Sequence, residues 1–180
     1  MPRCVDDPAD LDFELTGSRQ RFGRMELKIE NVQSYPRPPV VEPVPQRVRI
    51  QHKNQWIVDT QQALRVLETH HAPTYYLPKR DVLMPLRTVP GTSFCEWKGA
   101  ASYFDLLVDD APIPRAGWFY ARPEPGFHAL RDHVAIYATK VDACFVGEQR
   151  VEPQAGDFYG GWKTPNLQGM VKGAPGTEHW

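Results

Sequence analysis

Proline limits what this chain can fold into more than any other residue does. Eighteen prolines are spread over 180 residues. Each one fixes φ and removes a backbone donor, so long helices are ruled out wherever they cluster. Thirteen glycines add sites for turns and bulges. Between these breakers the apolar residues recur every second position over short stretches, which is the period of a half-buried strand. Hydrophobic residues make up 41% of the chain, enough for a core. The pattern predicts a mostly β fold of small sheets with little helix.

Along the chain, residues 1–34 read as a polar N-terminal arm, in which Met25, Leu27 and Ile29 alternate with charged residues as a short strand would. Residues 35–46 hold Tyr35-Pro36-Arg37-Pro38-Pro39, Pro43 and Pro45 and read as a stiff extended linker; a proline-rich ligand for a partner domain is the sharper alternative. A β domain is expected over residues 47–151. Val48 and Ile50 begin it, a turn follows at Lys53-Asn54-Gln55, and Trp56-Ile57-Val58 return as a hairpin. Residues 61–69 have helical propensity but sit among strands, and strand is preferred. Further strands are expected at 74–77, 92–97, 101–108 and 117–120, with at most a turn or two of helix over 127–132. Residues 133–137 and 141–146 are expected to form a hairpin around Ala138-Thr139-Lys140. Residues 152–180 are rich in Gly and Pro but carry Phe158, Tyr159, Trp162 and Trp180, so this extension is expected to pack on the domain.

Charge and cysteine content narrow the partners. The formal net charge is −1, which offers no broad attraction to nucleic acid or to an anionic membrane. Cys4, Cys95 and Cys144 are an odd set with no disulfide framework. Acids stand at the N-terminus where a signal peptide has bases, so a reducing, cytoplasmic setting is expected. Cys-x-x-Cys, His-Glu-x-x-His, phosphate-loop and dinucleotide motifs are absent. Neither a metal nor a cofactor is expected, and His70-His71 on a strand would point to opposite faces.

The segment 93–103 is the densest in chemistry. Cys95 is a candidate nucleophile if Lys98 or His133 stabilises its thiolate, and otherwise a small buried hydrophobe. Lys98, between an aromatic strand and Gly99, could bind phosphate or carboxylate, or else lie along Trp97 as a surface lysine. His133 is a candidate acid/base, and Tyr103 completes the catalytic set. Arg65 and Glu68 interrupt an apolar run; they are either ligand anchors or an ion pair with each other or Asp105. Tyr76, Trp97, Trp118 and Tyr120 are core candidates whose polar tips also suit a pocket wall. Because buried charge is costly without a partner, Arg65, Cys95, Trp97, Lys98, Tyr103 and His133 are expected to share one polar cavity.

These same residues carry a resemblance. Arg65-Val66-Leu67-Glu68, Tyr75-Tyr76-Leu77-Pro78, Cys95-Glu96-Trp97-Lys98-Gly99, Gly117-Trp118-Phe119-Tyr120 and His133-Val134-Ala135-Ile136-Tyr137 together resemble the domain of unknown function 427 family, over roughly residues 35–152. The family is sometimes labelled a nucleotidyltransferase family. The resemblance implies small tent-like antiparallel sheets, similar to methionine sulfoxide reductase B and the Rab exchange-factor-like proteins. Their paired zinc-binding cysteines have no counterpart here. The functions open at this point are an enzyme for a small polar or anionic molecule, a non-catalytic binding or sensing module using the same pocket, and a protein-interaction domain. Oligomeric state is not legible.

Overall fold

The computed structural model describes residues 26–156 and 158–177. Cys4, Met25 and Trp180 therefore lie outside the described residues, as does most of the expected arm. Strands are numbered in chain order. Seven of them form one antiparallel sheet: β2 (Val40–Pro43), β5 (Leu64–Leu67), β6 (Thr74–Pro78), β10 (His133–Ile136), β9 (Ala111–Phe119), β8 (Gly99–Val108) and β7 (Leu86–Cys95), in that spatial order. A four-stranded antiparallel sheet follows the order β12 (Gln149–Arg150), β11 (Ala143–Val146), β3 (Val48–His52) and β4 (Gln55–Thr60). Two short ribbons complete the set: β1 (Glu30–Asn31) lies parallel to β15 (Leu167–Gln168), and β13 (Glu152–Pro153) lies antiparallel to β14 (Trp162–Lys163). The fold is mostly β. Helix among the described residues is confined to short 3-10 turns, of which Pro125–Leu130 is the longest.

Local chemistry explains the tight hairpins. Lys53 and Asn54 have φ of 48° and 60°, and Asp109 and Asp110 have 52° and 59°. Two consecutive left-handed residues give a turn whose twist matches that of paired strands, and Asn and Asp tolerate it best. Residues 64–67 form a strand despite their helical propensity, because β2 and β6 pair on either side. The hairpin expected around Ala138-Thr139-Lys140 does not form. β10 pairs with β6 and β9, whereas β11 pairs with β3 and β12. The 3-10 turn Ala138–Lys140 carries the chain from one sheet to the other. Val134 and Ile136 can then face Cys144 and Val146 across one core, burying both apolar faces.

That core lies between the two large sheets. Val48, Ile50, Ile57, Val58, Cys144 and Val146 come from the smaller sheet; Tyr75, Leu77, Phe104, Leu106, Val134 and Ile136 come from the larger. Their sequence neighbours turn the other way. Tyr76, Tyr103 and Ala135 belong to a second cluster, on the opposite face of the seven-stranded sheet.

The flanking segments are built into this frame. Val40–Pro43, expected as linker, is the edge strand beside β5, a position where Pro43 is tolerated. Tyr35 and Val32 are buried in a third cluster with Leu67 and Ala72. Trp162 is 0% exposed, stacks on Tyr75 at 5.1 Å and donates its indole N–H to the Ile136 carbonyl at 3.0 Å. Gly160 sits so tightly on Trp118 that a Cβ there would come 2.0 Å from the indole ring. Phe158, by contrast, stays exposed.

Candidate functional site

The outer face of the seven-stranded sheet carries a row of large side chains set by register. Leu64 opposes Tyr76 between β5 and β6, Ala135 opposes Trp118 between β10 and β9, Trp118 opposes Tyr103, and Tyr103 opposes Val89. Directly opposed residues share a face, so the row is a single aromatic wall. The β7–β8 hairpin rises beside it. Cys95 pairs with Gly99, which leaves Glu96, Trp97 and Lys98 at the tip. Gly99 has φ of 91°, a left-handed conformation that a side chain would strain, and this turns Lys98 back over the sheet.

Wall and hairpin enclose a hollow of about 350 Å³. Glu68, Cys95, Trp97 and Lys98 line it from the rim. Tyr76, Tyr103, Trp118 and Tyr120 line it from the sheet. The Tyr103 hydroxyl donates to Ser93 Oγ at 2.8 Å, and the Arg115 guanidinium lies 3.8 Å from the Tyr103 ring centre. Burial pushes the Tyr76 and Tyr120 hydroxyls well above their ordinary range, and burial pushes Tyr137 up to about 12. These phenols therefore stay protonated and neutral at any physiological pH. Cys95 is half-buried; Cys144 sits in the main core, where burial raises its thiol.

Lys98 is 9% exposed, and its Nζ lies 5.7 Å from the centre of the Phe127 ring. Among the described residues no carboxylate pairs with that amine. Next to it in sequence, the Trp97 indole Nε1 is buried without a hydrogen-bond partner. Arg37, on the same rim, is occupied: it lies 3.0 Å from Glu96, 3.7 Å from Glu68 and 5.8 Å from the Trp97 ring centre.

Two residues expected in this cavity lie elsewhere. Arg65 alternates with Val66, so it faces away from the hollow, where Nη2 lies 2.8 Å from Glu30 and Nε donates to Glu42 at 2.6 Å. Burial alone would weaken its charge, but the hydrogen bonds to Glu30 and Glu42 outweigh that and hold it firmly protonated. The expected partner Asp105 instead binds Arg87 at 2.7 Å and the Arg115 backbone N–H at 2.9 Å. His133 stands at the far end of β10. It lines a separate hollow with Pro78, Lys79 and Asp132, and its Nδ1 is 2.9 Å from the Arg131 carbonyl. Neither could have been separated from the cavity without knowing which face and which end of each strand is covered.

Other lining residues were not anticipated. His70 has φ of 63°, so the two histidines occupy a turn rather than a strand, and His71 reaches the hollow. Burial lowers the His71 pKa, Glu68 opposes that shift, and Lys172 and Lys98 reinforce it. Tyr137 was legible in principle, since it alternates with Ala135. Gln154, Tyr159 and Lys172 come from the C-terminal extension, and only tertiary contact brings them in. Among the described residues, no group of three or more His, Cys, Asp or Glu is placed to hold a metal ion. No described helix is long and apolar enough to cross a membrane.

Among curated proteins none matches the chain. A family model described as a domain of unknown function (DUF427) matches residues 40–147, which run from β2 through β11 and include the aromatic wall and the whole β7–β8 hairpin. Gln154, Tyr159 and Lys172 stand outside the matched span. The match covers more than half of the chain, which therefore belongs to the DUF427 family.

Proposed function

We propose that the domain binds a small anionic molecule in the hollow on the outer face of its seven-stranded sheet. The observation that carries this reading is Lys98: a lysine only 9% exposed as a residue, whose amine pairs with no carboxylate among the described residues, lining a cavity. Such a charge is costly to desolvate unless an anion or water meets it. Its sequence neighbour Trp97 lines the same hollow. The protonated phenols of the wall add neutral hydrogen-bonding tips to an aromatic surface, a lining that suits a small polar ligand. Binding is preferred to catalysis, because His133, the candidate acid/base and one of the two expected stabilisers of a Cys95 thiolate, lines a different hollow.

The test is ligand-observed NMR with a panel of small carboxylates and phosphates, on the wild type and on Lys98→Met. The substitution keeps an apolar stem and removes the charge. The wild type should bind at least one member, and Lys98→Met should lose that affinity about tenfold or more. Unchanged affinity in Lys98→Met would remove the basis of the proposal.

A further inference from the structure

Resting on that reading, we propose that the bound anion is a singly charged acid with a flat aromatic body rather than a nucleotide or another polyanion. The first ground is charge. Arg37, Lys98 and Lys172 line the hollow, against Glu68 and Glu96. Arg37 is engaged by both carboxylates. His71 adds nothing, because burial keeps its imidazole neutral. The described lining is left with a surplus of one positive charge. A polyanion such as a nucleoside triphosphate would bring several negative charges to a lining with one surplus positive charge and two carboxylates, Glu68 half-buried and Glu96 64% exposed, that repel like charge.

The second ground is shape. The hollow, at about 350 Å³, sits near the small end of the range for ligand sites. Its floor is the row Tyr76, Trp118 and Tyr103, of which Tyr76 is 1% exposed and Trp118 and Tyr103 8% each, with Tyr137 packed 4.6 Å from Trp118, centre to centre. A ligand ring gains from contact with the aromatic edges that this row leaves open. The apolar lining continues outward to the mouth, where Phe94 and Phe158 are 77% and 72% exposed, an unusual state for two phenylalanines on one cavity. A carboxylate supplies two acceptor oxygens to meet the Lys98 amine.

Four probes separate the requirements: benzoate carries ring and charge, acetate charge alone, benzyl alcohol ring alone, and phenyl phosphate a ring with a dianion. Titration near pH 8, followed by NMR shifts and tryptophan fluorescence, should show benzoate binding about tenfold more tightly than acetate or benzyl alcohol, and no more weakly than phenyl phosphate. In Lys98→Met the advantage of benzoate over benzyl alcohol should vanish. Lys98→Gln serves as a second uncharged variant should Lys98→Met disturb folding. Phenyl phosphate winning by about tenfold would overturn the single-charge rule. Acetate matching benzoate would overturn the aromatic body. Both of those results leave the anion site standing. Benzoate bound equally by wild type and both Lys98 variants, or no probe bound at all, would overturn the anion site and this inference together.

Discussion

Replacing Trp162 with alanine should unfold the domain at markedly lower denaturant, although Trp162 lies outside the span that defines the family. Burying a tryptophan removes about 150–250 Å² from water. At about 25 cal/mol per Å² this is worth about 4–6 kcal/mol. The figure is an upper bound, because the denatured chain already covers part of its apolar surface. Trp162 is fully buried, stacks on Tyr75 and donates to the Ile136 carbonyl, so its loss opens a cavity in the main core and strips a donor from β10. Trp162→Ala should therefore cost about 3–5 kcal/mol. Trp162→Phe keeps most of the stacking and loses the donor, and should cost about 1–3 kcal/mol. Urea unfolding followed by far-UV circular dichroism measures both, with the slope checked to confirm that only stability has changed. A loss below about 1 kcal/mol for Trp162→Ala would mean that the extension merely rests on the domain, and the reasoning from its burial would be refuted.

Arg65→Met should destabilise the fold by about 2–4 kcal/mol, since Glu30 and Glu42 are left facing each other without their shared cation; the lower end is favoured because Glu42 reaches solvent. Any probe affinity of the hollow should survive this change, and a variant that lost binding at full stability would restore Arg65 as a ligand anchor. His71 sets a pH dependence. Burial depresses its folded pKa below the ordinary 6.5, so the unfolded chain takes the proton first. Its contribution to stability is complete above about pH 6.5 and is lost as pH falls through the depressed folded value. Urea midpoints between about pH 7.5 and pH 5 should decline less steeply in His71→Gln than in wild type; parallel curves would exclude His71 as a source of the dependence.

Much of the fold was written in local chemistry. Proline spacing excluded long helices, and alternation at Val48 and Ile50 located a strand. Lys53-Asn54 marked a hairpin turn. A bend at Lys98-Gly99, with the lysine between an aromatic strand and a glycine, was legible because a left-handed residue is a property of a few neighbouring positions, although the strand ends at Cys95 rather than Trp97. What sequence could not supply was the identity of the covered face and the partner of each strand. Residues 133–146 look like a hairpin, yet the two strands join different sheets, because apolar faces on both sides of the turn are best buried across a shared core. Arg65 and Val66 are adjacent, and a single step along β5 separates an ion cluster from a cavity wall. His133 and Tyr137 belong to the same segment but serve different hollows. Lys172 meets residues far away in sequence. Local rules decide the period and the turns; register and the choice of face follow from which distant apolar surfaces exclude water together, and only the assembled sheets decide that.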